Sequence, residues 1–321
     1  MAQLIKLQDY ISRYEVDIFR YPTQFVRLKK QQWEKVYGMW KKDGIAENSN
    51  YEDDSHNDIL EKPLHRKLKL LFNKERETER VLFDQSREED NDTMLFFTNF
   101  QTFPEKEVEL KKQFLDQLFH FQLKWASSTL IEKSFVDSSY NRDQNLRYFL
   151  QRFPDNYLLI YNPVLQLKNA PVELEILLLT PKEVICITFL ESFDGTAYIG
   201  GKERFWTEIY KDKEKKIVNP IISLKRMENI VSNIFSHHKI DLPIKKLILS
   251  RNGFIDYPTL PQDVMSIDQR NYDEWFEKMR SFRSPIKNNQ IRAAQAILTY
   301  CQTTSFKRLE WDEHKDLPKG E

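Results

Sequence analysis

Cysteine is nearly absent from this sequence. Two residues in 321, Cys186 and Cys301, cannot build a disulfide framework, and neither has a partner at zinc-ligand spacing. Cys186 lies inside an apolar run, where a small buried thiol is the ordinary reading. Net charge is absent as well. The 49 Lys and Arg balance 49 Asp and Glu, so no overall field draws the chain to nucleic acid or to an anionic membrane. Any basic surface must be local. Apolar runs are short, and none approaches the ~18 residues that suggest a membrane span. The opening MAQLIKLQDYISRYE is interrupted by charge too often to be the apolar segment of a signal peptide. Glycine is scarce too: of seven, three fall in DGTAYIGG, between Gly195 and Gly201. Such a cluster marks a turn or hairpin. It is not a phosphate-binding loop, because the Walker and dinucleotide spacings are both missing. The expectation is a soluble, cytoplasmic protein without a membrane partner.

What the chain does have is aromatic bulk. Its 22 Phe, 14 Tyr and 6 Trp supply most of the burial potential. The first forty residues read as helix. Leu4, Ile5, Leu7, Tyr10 and Ile11 give one short apolar stripe, and Pro22 suits the first turn of a second helix carrying Phe25, Leu28, Trp33, Val36 and Tyr37. That second helix also carries Arg27, Lys29, Lys30, Lys35, Lys41 and Lys42. They form a solvated face or, alternatively, a patch for phosphate backbones or an acidic partner. From Lys42 to Pro63 the chain turns polar and acidic and reads as a flexible loop. His56, among Asp53, Asp54 and Asp58, belongs to that loop rather than to a metal site. A helical pattern resumes over Leu64 to Val81, followed by the acidic SREEDNDT and the aromatic MLFFTNFQTF. Pro104 opens another helix with Val108, Leu110, Phe114, Leu115, Leu118, Phe119 and Leu123 on its apolar side. Residues 1–140 are therefore expected to be a mainly helical region with acidic loops, able to meet a protein partner.

The pattern changes after Tyr140. A short helix around Leu146, Phe149 and Leu150 precedes three β-rich runs, NYLLIYNPV, VELEILLLT and EVICITFLE. A helix from Asn219 to Phe235 follows, with Pro220 in its first turn, and KKLILS makes a further strand. Helices close the chain near Tyr272 to Phe282 and Ile286 to Tyr300. Helix, three strands, helix and strand make a compact α/β unit within 141–321.

The stretch VELEILLLTPKEVICITFLE, then GTAYIGGKERFWTEIY and NPIISLKRMENIV, resembles the nuclease-related domain (NERD) family of the PD-(D/E)XK group. The resemblance covers about a third of the chain. It implies a small restriction-endonuclease-like mixed sheet with flanking helices, in a setting of nucleic-acid metabolism or defence, with DNA or RNA as partner. Carried over by position, the family's first acids match Glu173 and Glu175, and the apolar run and Thr180-Pro181 turn agree. The family's Glu-x-Lys does not: Thr188 and Leu190 stand in those places. Asn219-Pro220 matches the helix start, Ser223 stands where Gln is common, and Asp143 lies near the family's early Glu.

These departures touch the chemistry. Phosphodiester hydrolysis by such a site needs carboxylates for Mg²⁺ or Mn²⁺, and a lysine beside the attacked phosphate. Thr188 and Leu190 remove one ligand and the cation. Strand alternation puts Glu191 on the opposite face, with Ile187 and Phe189, unless a bulge intervenes. Lys182, Lys202 and Arg204 lie near turns and are the candidates for a migrated cation. The expected function is a non-catalytic nuclease-related binding or scaffold protein that needs no cofactor. Two alternatives remain: a nuclease with Mg²⁺ or Mn²⁺ on Glu173, Glu175 and either Glu191 or Asp143, and a protein-interaction module without nucleic acid. Glu173 and Glu175 also have a plain structural reading, as the exposed start of a strand whose other face is Val172, Leu174, Ile176 and Leu178.

Overall fold

A computed structural model describes residues 1–48, 103–168 and 170–308, with side chains except at 43–48. The acidic loop around His56, the helical pattern of Leu64 to Val81 and the acidic and aromatic runs up to residue 102 lie outside the described residues. From the amino end come β1 (Gln3–Leu7), α1 (Arg13–Val16), α2 (Tyr21–Asn48), α3 (Glu107–Trp125) and β2 (Glu132–Lys133). Next are α4 (Gln144–Arg152), β3 (Leu158–Tyr161), β4 (Val164–Gln166), β5 (Pro171–Glu173), β6 (Ile176–Leu179) and β7 (Val184–Phe189). Then follow β8 (Ala197–Ile199), β9 (Phe205–Tyr210), β10 (Lys213–Val218), α5 (Pro220–His238) and β11 (Ile244–Leu249). The last are β12 (Phe254–Asp256), β13 (Val264–Ile267), α6 (Tyr272–Arg280), α7 (Asn288–Tyr300) and β14 (Phe306–Lys307).

A six-stranded mixed sheet in the order β1-β3-β6-β7-β11-β13 organises the molecule. Strands β3, β6 and β7 form an antiparallel meander. The flanking strands are parallel to their neighbours: β1 to β3, β11 to β7 and β13 to β11. The α4-β3-β6-β7-α5-β11 succession is the expected α/β unit. Both faces are covered, which is why the central strands read as continuous apolar runs. One face packs Ile176, Leu178, Ile185, Ile187, Leu247 and Leu249 with α4 and with Trp275 of α6. On the other, Leu177, Cys186 and Ile248 are buried, as are Leu224, Met227 and Val231 of α5. Two caps fix the helices that border the site. Asp143 accepts hydrogen bonds from the Asn145 and Leu146 amides at the start of α4. Asn219 accepts from the Ile221 amide at the start of α5, with Pro220 in the first position.

The first residues correct the sequence expectation. Leu4, Ile5 and Leu7, placed on a helix by their spacing, lie in the edge strand β1. All five residues of β1 are buried, so apolar side chains are needed on both of its faces, and over so short a run that pattern mimics a helical stripe. Lys6 is buried there with its ammonium on Glu15 at 2.6 Å and Thr303 at 2.9 Å. Val108, expected on the apolar side of α3, is exposed.

Compactness divides the chain into Met1–Arg27 with Leu118–Glu321, and Leu28–Gln117. The boundary expected at 140 therefore falls inside the first unit, which owns β1 as well as the sheet. In the second unit Trp33 stacks on Tyr37 and meets Phe114 edge-on, and the Trp40 indole donates to the Pro104 carbonyl at 2.6 Å.

A second sheet, in the order β10-β9-β8-β12, grows from the chain after β7. The glycine cluster serves its entry: Gly195 has φ +81° and turns the chain into β8. Gly253 allows a close approach, since a Cβ there would lie 2.6 Å from the Thr196 carbonyl and 2.9 Å from the Tyr198 ring.

Candidate functional site

The antiparallel register that pairs Ile176 with Ile187 puts Glu175 opposite Thr188. Both face α5, where the Ser223 hydroxyl donates to the Glu175 carboxylate. Leu190 follows two residues after Thr188 and is buried. The second sheet supplies the remaining wall. Tyr198 of β8 pairs with Glu208 of β9, and Glu208 with Lys215 of β10. Together these elements line an open cavity of about 360 Å³, bordered by Glu175, Thr188, Leu190, Tyr198, Glu208 and Ser223, with Ile217 and Pro220 at its side.

The cavity is acidic and incompletely satisfied. The Glu208 side chain is 13% exposed, and its charge partner, the Lys215 ammonium, is 3.9 Å away, beyond hydrogen-bond reach. The hydroxyls of Tyr198 and Thr188 are both buried and neither has a hydrogen-bond partner. Burial, then the negative charges of Glu208 and Glu191, push the Tyr198 phenol well above its ordinary range, so it stays protonated. Burial likewise raises the Cys186 and Cys301 thiols to about 12, which leaves neither as a nucleophile.

The candidate acids do not come together. Glu175 reaches the cavity. Glu173 is exposed at the end of β5 and is not among the cavity's lining residues. Asp143 is occupied as the α4 cap, with its second oxygen accepting from the Tyr161 hydroxyl at 2.9 Å. Glu191 borders the cavity, but Arg251 holds its carboxylate in a two-pronged ion pair, with 2.5 Å for one prong. The Arg251 guanidinium also donates to Asn145 at 2.7 Å and lies over the rings of Tyr148 and Phe189. Alternation predicts this turn away from Thr188, and the β7–β11 register runs through Phe189 without a bulge. Of the candidate cations, Lys182 lies over the Phe282 ring and Arg204 over that of Phe205. Lys202 is exposed, and none of the three lines the cavity.

Among the described residues no three His, Cys, Asp or Glu side chains group as they would around a metal ion. Among the described residues, Glu175 and Glu208 are the ones that put free carboxylate capacity into the cavity, with the neutral Thr188 beside them. This donor set does not reproduce the convergent oxygens that Mg²⁺ or Mn²⁺ chemistry needs.

Sequence reasoning passed over Glu208, Tyr198 and Arg251. Glu208 carried a legible signal. In FWTEIY it shares a strand face with Trp206, which is fully buried, so a lone carboxylate is pointed inward. Tyr198 and Arg251 carried none, because only the folded sheets bring them to β7.

No helix among the described residues is long and apolar enough to cross a membrane. No solved structure matches the chain. Over 64 residues the chain is 44% identical to a protein named RNA 2',3'-cyclic phosphodiesterase from Geobacillus stearothermophilus. That stretch spans 20% of this chain and 20% of the relative. Residues 138–250, from just before the α4 cap to the end of β11, match the nuclease-related domain (NERD) family, and the cavity described above lies within this segment.

Proposed function

We propose that this protein binds nucleic acid in the cytoplasm through its nuclease-related fold and does not cleave it by the metal-and-lysine chemistry of that family. The reading is carried by one observation: Thr188 and Leu190 face the cavity beside Glu175, where a metal-binding acid and a cation would have to stand. Threonine offers a neutral oxygen, and leucine neither binds a metal nor stabilises a developing negative charge. Glu191 is no substitute while Arg251 neutralises it. The relative's name refers to RNA, which favours RNA over DNA as the first strand to try.

The test has two arms on the full chain. Thermal unfolding of wild type and Glu175→Gln, each with and without excess Mg²⁺ or Mn²⁺, is expected to show no metal-dependent shift. Specific binding at a hundredfold excess over its dissociation constant would add ~2.7 kcal/mol to stability. Such a shift, lost in Glu175→Gln, would overturn the metal-free reading in favour of a migrated active site. Anisotropy of labelled single-stranded and duplex RNA and DNA is expected to show binding that weakens steeply as salt rises. Absence of binding at low salt would leave a protein-interaction module as the function.

A further inference from the structure

We propose that the cavity between Glu175, Thr188, Tyr198 and Glu208 takes one unstacked nucleobase by its N–H edge, with guanine as the preferred base. The inference rests on the nucleic-acid reading above and specifies what the cavity does within it.

The chemistry of the lining selects donors and rejects anions. Glu208 is largely buried, and the Lys215 ammonium that pairs with it at 3.9 Å stops short of a hydrogen bond, so its carboxylate has acceptor capacity that an incoming N–H donor can fill. Beside it, the Tyr198 and Thr188 hydroxyls are 2% and 7% exposed by residue and have no partner. A buried hydroxyl without a partner is itself unfavourable, and a ligand edge that offers both donors and acceptors would satisfy it. Glu175 keeps one oxygen on Ser223 and has the other available. Two carboxylates repel a phosphate, so the strand's backbone must stay outside. Lys213 and Lys215 share the β10 face that pairs with β9 next to Glu208, and both are exposed, where they can hold that backbone.

Guanine fits this set best among the bases. Its N1–H and exocyclic amine lie side by side and meet both oxygens of one carboxylate. Cytosine and adenine offer an exocyclic amine without the adjacent ring N–H, and uracil offers a single ring N–H. Leu190, Ile217 and Pro220 supply apolar contact for the ring. The cavity volume of about 360 Å³ is at the small end of ligand pockets, as a single base requires. Reading splayed-out bases on this edge is how single-stranded RNA is generally recognised.

The experiment uses the full chain and short labelled single-stranded RNAs that differ only at the central base, followed by anisotropy at low salt. The strand with central guanine should bind roughly tenfold or more tightly than the all-uracil strand, as a two-hydrogen-bond contact to a base implies. Glu208→Gln should abolish that preference, so that the central-guanine and all-uracil strands bind alike. Tyr198→Phe should reduce it. Thermal unfolding checks that each variant folds, and the wild-type base series decides the matter even where one does not. Equal binding of the four strands, or a guanine preference untouched by Glu208→Gln, would overturn the base pocket while the nucleic-acid reading stands. No binding of any strand would remove both. Argininamide that competes at the Glu208-dependent site as well as guanosine monophosphate would overturn the proposal in favour of a protein side chain.

Discussion

At the scale of single residues, the carboxylates of this domain have been separated by their partners. Glu175 turns to Ser223, Asp143 to its helix cap, and Glu191 to Arg251. The last pair is the most consequential for stability, since the Glu191 side chain is 18% exposed and the Arg251 side chain 24%. Burial alone disfavours the Arg251 charge, but its bonds to Glu191 outweigh that and raise its pKa. Arg251→Met should therefore cost about 2–3 kcal/mol, less than a fully buried pair because both groups touch solvent. Adding Glu191→Gln should recover part of that cost by removing the stranded charge. Urea unfolding of the single and double variants measures both terms. A loss below ~0.5 kcal/mol in Arg251→Met would mean that water already screens the pair. The sequence disclosed the facing of Glu191 through strand alternation, yet not its partner, which stands sixty positions away.

At the scale of elements, the site depends on how the small sheet is held to the large one. Asp268, just after β13, accepts from the Ile255 amide of β12 at 3.0 Å and from the Arg270 amide at 2.9 Å. Burial raises the Asp268 carboxyl, but the Arg270 side chain and these two amides outweigh burial and hold it below its ordinary value. A depressed carboxyl contributes stability that is complete above the unfolded value of ~3.9 and is lost as pH falls through the lower folded value. Asp268→Asn should accordingly cost about 1–2 kcal/mol near neutrality. The gap to wild type should narrow as pH falls below about 4. Denaturant midpoints across that range are the measurement, and a gap independent of pH would show that the carboxylate's charge plays no part. Strands β3, β6, β7 and β11 were legible from β-rich runs, although β5 and β6 read as one strand. Asn162, with φ +48°, donates to the Glu175 carbonyl where the two separate, and a positive φ at a non-glycine residue leaves little trace in a sequence.

At the scale of the molecule, the family-matched segment is not the folding unit. Residues 138–250 contain β3, β6, β7 and β11, but β1 and β13 complete the sheet on either side. The core also draws Leu4, Leu7, Phe119, Leu123, Ile267 and Trp275 from outside the segment. Expressed alone, 138–250 would expose two open sheet edges and the core surface that these residues cover. It should show no cooperative thermal transition by circular dichroism, while the full chain melts cooperatively. A sharp transition in the fragment would mean that the flanking strands are dispensable.

The sequence by itself determined the α/β class, the order of the core elements and the start of α5 at Asn219-Pro220. Those follow from local periodicity, capping chemistry and strand alternation, which act over a few residues. Tertiary structure alone decided that Gln3 to Leu7 form an edge strand, because a five-residue run with apolar side chains on both faces fits a strand or a helix equally well until a neighbour is present. It also decided that Glu208 and Tyr198 face Glu175 across one cavity. Strand pairing and sheet packing bring such residues together, and no spacing along the chain records them.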